Sequence, residues 1–93
     1  MAKGKDNIEL QLEWELTKLI GRVIELYGAT GFTSDEIWKH SRETNLPTTY
    51  LGRNIGANLK SWKASGRIRK TGQCRLSTRN GNSSLPVYVR RVE

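Results

Sequence analysis

The chain has 93 residues, 35% of them hydrophobic and 27% charged, which suits a single small domain. Sixteen Lys and Arg residues oppose nine Asp and Glu, and the formal charge of +7 points toward a polyanionic partner. Cys74 is the only cysteine and His40 the only histidine, which excludes an intramolecular disulfide and a zinc site of three or four side-chain ligands.

In chain order, "MAKGKDNIEL" carries lysines with no apolar stretch behind them, so it is not read as a secretory signal. A short flexible tail is expected over residues 1–7. No apolar run approaches the roughly 18 residues that cross a bilayer, and a reducing cytoplasm is the expected setting. Residues 8–27 read as an amphipathic helix, with Leu12, Leu16, Leu19, Ile20, Val23, Leu26 and Tyr27 on one stripe and Gly28 as its stop. Leu10 and Trp14 project from the other side of this helix. They are read either as packing against the tail or a loop, or as a patch for a dimer or protein partner.

"GFTSDEIWKHS" carries the clearest helix start. Thr33 as N-cap and Glu36 three residues on form a capping box, and Phe32 and Ile37 stand where a hydrophobic staple does. A second helix follows over about 34–41, with Ile37 and Trp38 inward, His40 on the surface or capping, and Asp35 and Glu36 complementing the helix dipole. Pro47 ends the connection by biasing Leu46 away from helical geometry. A third helix is expected from Thr48 or Thr49 to Ala64, terminated by Gly66 and buried through Leu51, Ile55, Leu59 and Trp62. Gly52 and Gly56 each cost about 1 kcal/mol of helix propensity relative to alanine. Packing by a neighbouring helix is the simpler expected reason, and close approach of a phosphate the other.

Beyond Gly66, "RIRK" and "QCRLST" read as two short strands. Asn80-Gly81 marks a hairpin tip, and "LPVYVRRV" returns as a strand with Val87 and Val89 on one face. Charge is divided sharply along this order. Residues 1–46 hold six basic and eight acidic residues, net −2, whereas residues 47–93 hold ten basic residues and only Glu93, net +9. Nucleic acid is the partner this split favours.

Taken together, "FTSDEIWKHS", "TTYLGRNIGANLKSW" and "SGRIRKTGQCRLSTRNGNSSLPVYVRR" resemble the winged helix-turn-helix superfamily across residues 8–92. "YLGRNIGANL" is also similar to the winged-helix modules of phage and plasmid replication proteins. The resemblance implies an α+β fold, a three-helix bundle followed by a C-terminal β-hairpin wing, in one domain over 8–92. One departure is the link from Ser41 to Thr48, longer than the compact motif's turn of about three or four residues.

The expected function is non-enzymatic binding of double-stranded DNA, as a transcriptional regulator or a replication or recombination accessory, in the cytoplasm and on the nucleoid if the host is bacterial or phage. A helix fits the major groove, where Arg53 can pair with guanine and Asn54 with adenine, while Thr49 and Tyr50 reach phosphate or base. Lys60 and Lys63 suit backbone phosphates. Arg67, Arg69 and Lys70 lead toward the wing, and Arg75, Arg79 and Asn80 follow the backbone or enter the minor groove. No cofactor or metal and no membrane partner is expected. The alternatives are a protein-interaction module working through helix one, as a homodimer or with another partner, and an RNA or single-strand binder. The second is disfavoured because only Tyr50 and Tyr88 offer stacking surfaces in the basic half.

Overall fold

The computed structural model describes residues 7–79, 81 and 83–91. Helices α1 (Asn7–Tyr27), α2 (Ser34–Ser41) and α3 (Thr48–Ala64) precede strands β1 (Ile68–Leu76) and β2 (Ser84–Arg90). The strands pair as an antiparallel hairpin, giving an α+β arrangement of three helices and a C-terminal two-stranded sheet. Most of the expected tail lies outside the described residues. No described helix is long and apolar enough to cross a membrane.

The core is built by the helical periods. Leu16, Leu19, Ile20, Val23 and Ile24 of α1 meet Ile37 of α2 and Leu51, Ile55 and Leu59 of α3, closed by Phe32, Leu46 and Ile68. Leu26, expected in the stripe, is 53% exposed. It continues the i, i+4 row of Lys18 and Arg22, both solvent-facing, instead of the Leu16–Val23 line. Leu46, in the long connection, is 7% exposed and belongs to the core. Turn bonds from Glu43 N–H to His40 O (3.1 Å) and Thr44 N–H to Ser41 O (2.9 Å) bring it there.

Local chemistry sets the helix ends. Thr33 Oγ1 accepts from the Asp35 N–H at 3.1 Å, and Glu36 Oε1 accepts from the Thr33 N–H at 2.6 Å, completing the capping box. Phe32 and Ile37, the staple pair, are fully buried. α3 closes in a Schellman arrangement: Gly66, at φ +81°, donates to Lys63 O (3.0 Å) and Arg67 to Trp62 O (3.2 Å). Trp62 is half-buried, its ring lying over Gly21 of α1. Its indole N–H donates to Asn58 Oδ1 at 2.8 Å, and the Asn58 amide reaches Thr17 Oγ1 at 3.2 Å, so polar bonds tie α3 to α1. His40 is half-buried, not a surface cap: its Nε2 lies 2.7 Å from the Tyr27 hydroxyl, linking α1 to α2.

The two strands expected from "RIRK" and "QCRLST" are one strand, interrupted by a bulge between Lys70 and Cys74. Phe32 holds the hairpin to the helices. It exchanges backbone bonds with Tyr88 at 2.9 and 2.8 Å, and the two rings stack at 5.9 Å. Further down, the Arg90 N–H donates to Gly28 O at 2.9 Å. Gly28 is required by this approach, since a Cβ there would collide with the Ile24 carbonyl and lie 2.7 Å from Arg90 Cβ.

Candidate nucleic-acid interface

With Leu51, Ile55 and Leu59 buried, the 3.6-residue period turns Thr49, Gly52, Arg53, Gly56 and Lys60 to solvent, with Lys63 at the C-terminal end. Three cations and no anion occupy this face. Its two flanks differ. On the α1 side, Tyr50 and Asn54 are half-buried, and the Asn54 amide donates to Tyr50 O of its own helix at 2.8 Å. There Thr49, Tyr50, Arg53 and Asn54 share a groove of about 690 Å³ with Glu9 and Glu13 of α1. Of the four expected readers, then, Thr49 and Arg53 are exposed and Tyr50 and Asn54 half-buried, and all four line the groove at the acidic end of α1.

On the hairpin side, Gly52 and Gly56 form one wall of a groove of about 570 Å³, whose other walls include Trp38, Arg79, Pro86 and Tyr88. A Cβ on either glycine would meet nothing within 4 Å. The expectation that a neighbouring helix packs on them is therefore corrected: they face open space. Burial along this wall raises the Tyr88 hydroxyl above its ordinary value.

The far end of the hairpin is pinned to the start of α2. Asp35, 9% exposed, accepts from Ser77 Oγ (3.0 Å), the Thr78 N–H (2.5 Å) and Thr78 Oγ1 (3.0 Å). Burial works to raise the Asp35 carboxyl, but the Thr78 N–H, the two hydroxyls and the Arg79 charge outweigh it, leaving it below its ordinary value of 3.8. Beside this clasp the Arg79 guanidinium lies 3.8 Å from the centre of the Trp38 ring. Stacked in that way, it keeps its N–H edge for an anion. From the sequence, Asp35 is expected only as a helix-capping and dipole residue. Nothing local signals its true partners, which lie 42 and 43 residues away.

The remaining expected contacts divide between solvent and the body of the protein. Arg69 and Lys70 are exposed on β1, and Arg67 sits 5.7 Å over the Trp62 ring. Arg75 pairs across the ladder with Leu85, and so lies on the Val87 face of the hairpin, opposite Tyr88. Its guanidinium stays about half exposed and reaches back toward the helices, 3.5 Å from Gly31 O and 4.0 Å from Glu36. Asn80 lies outside the described residues. On α1, Trp14 is 61% and Leu10 49% exposed, with the Lys18 ammonium 4.5 Å over the Trp14 ring. No protein-family model, curated protein or solved structure matches this chain.

Proposed function

We propose that the chain is a non-enzymatic, winged-helix domain that binds duplex DNA, with α3 in the major groove and the hairpin as a basic wing on the backbone or adjacent minor groove. The observation that carries this reading is the exposed face of α3. Arg53, Lys60 and Lys63 project there without an acidic neighbour on the helix, and the hairpin-side flank ends on the stacked Arg79. A helix without an acidic residue, as an element that fits the major groove, is suited to phosphates first and base edges second. Arg53 is the candidate base reader; Lys60, Lys63, Arg69 and Lys70 are candidate backbone contacts. Regulation of transcription or assistance to replication or recombination would both use such a domain.

The test is fluorescence anisotropy on a pool of random duplexes across a salt series. Neutralising about four to six phosphates gives a slope of log K on log salt near −4 to −5. A slope near zero, or no binding at low salt, refutes the reading. A second reading, a protein-binding module acting through α1, is favoured by one feature, the Trp14 indole that is 61% exposed. Under that reading Trp14→Ala leaves duplex binding intact and abolishes partner capture.

A further inference from the structure

The hairpin has a second cationic end. Arg67, Arg90 and Arg91 all line one broad concavity of about 1020 Å³ beside the Trp62 ring. Backbone geometry brings them together: Ile68 pairs with Arg90, and the Arg91 N–H donates to Arg67 O at 3.0 Å. All three are exposed, and none forms an ion pair with a described residue. Glu15, Glu25 and Glu43 also line the concavity, where Lys18 and Arg22 of α1 offset two of them and the three arginines leave cations in excess. The site is far from the Asp35 clasp, because nine residues of β1 at about 3.3 Å each separate the two ends. It also opens on another side of the domain. Trp62 and Arg53 are nine residues apart, two and a half helical turns, and project from opposite sides of α3.

We infer that Arg67, Arg90 and Arg91 form a second phosphodiester site, which holds the backbone of a second nucleic-acid segment while α3 engages the first. The inference rests on the duplex-DNA reading above and adds to it that one copy of the chain bridges two segments. Three guanidiniums with unused N–H edges suit the oxygens of successive phosphates on a strand. No base is read there, so this second site is sequence-independent.

The experiment tethers one duplex to a surface, adds the protein, and measures retention of a second, labelled duplex, with the stoichiometry read by analytical ultracentrifugation. The wild-type protein is expected to retain the second duplex as a complex of one protein with two duplexes. Arg90→Ala with Arg91→Ala keeps the backbone bonds and the Arg90 Cβ contact. It should lower retention about tenfold or more while changing affinity for a single duplex about twofold or less. Arg90→Lys with Arg91→Lys should restore most of the retention. The inference is overturned if protein bound to one duplex retains no second, if the alanine pair weakens first and second duplexes alike, or if the bridge contains two proteins. Absence of binding to any duplex is a different result, which removes the function proposed above along with the bridge.

Discussion

Replacing Gly52 and Gly56 by alanine separates folding from binding more cleanly than any other change in this chain. Both positions are exposed within α3, and an added Cβ meets no atom within 4 Å. Each substitution should therefore recover the full helix-propensity difference, about 1 kcal/mol, or about 2 kcal/mol for the pair. For a domain of this size that corresponds to a rise in melting temperature of about 8–16 °C, readable by circular dichroism. The same two methyl groups enter the groove facing Trp38, Arg79 and Tyr88. If a sugar–phosphate strand or base edge lies against the bare helix there, the methyls displace it, and affinity falls about tenfold, or 1.4 kcal/mol. A more stable protein that binds less well is the expected result, measured by anisotropy on the same preparations. A stabilised variant that binds as before refutes the idea that the glycines admit DNA. A variant that is not stabilised refutes the claim that they face open space.

Three other outcomes are expected. Asp35→Asn should cost about 1–3 kcal/mol at neutral pH, because it weakens bonds that Ser77 and Thr78 donate to a carboxylate. Asp35 titrates below 3.8 in the folded chain, so the unfolded chain takes up its proton first as pH falls. Its contribution is complete above about pH 4–5 and is lost below that, and denaturant midpoints from pH 6 to 2.5 should fall less steeply in Asp35→Asn than in wild type. Gly28→Ala should destabilise by about 1–3 kcal/mol through the clash with Arg90 Cβ and the Ile24 carbonyl, seen as a lowered urea midpoint with an unchanged slope. Arg79→Ala should weaken binding to all duplexes about tenfold, whereas Arg75→Ala, whose side chain is turned toward Gly31 and Glu36, should change it about twofold or less. Equal losses from the two arginine variants in anisotropy titrations would contradict the assignment of hairpin faces.

What the sequence made legible was whatever short-range chemistry determines. The start of α2 is written in four residues, Thr33 to Glu36, because the capping box closes within one turn. The end of α3 is written at Gly66, where a left-handed residue is needed. The buried line of α3 follows from period alone. Period does not say which neighbour stands beside each flank, however. Tyr50 and Asn54 read as near-neighbours of the exposed face, and only the placement of α1 turns them toward Glu9 and Glu13. Gly52 and Gly56 have a helix-packing spacing and no helix to pack on, since the hairpin leaves that side open. The Asp35 clasp and the contact of Arg75 with Gly31 were out of reach for the same reason, as each joins residues about forty apart that no local pattern connects.

If α3 binds nucleic acid as proposed, the asymmetry of its two flanks limits where a strand can run. A phosphate beside Tyr50 and Asn54 would meet Glu9 and Glu13 as well as Arg53, so the attraction of that arginine is opposed there. A phosphate beside Gly52 and Gly56 meets the open groove and, across it, the guanidinium of Arg79. That guanidinium would lose much of its attraction if Asp35 were bonded to it. Asp35 instead accepts three hydrogen bonds from Ser77 and Thr78, while the Trp38 ring carries the arginine. One buried carboxylate thus holds the hairpin against α2 and leaves the neighbouring cation's N–H edge for another anion. The width of the groove depends on the same clasp, because α2 carries both Asp35 and Trp38. Loss of Asp35 should consequently weaken DNA binding as well as stability; because the folded chain holds the Asp35 carboxyl below 3.8, the wild-type protein should lose binding through this clasp only at pH values below that, if the groove beside α3 is the path of the strand.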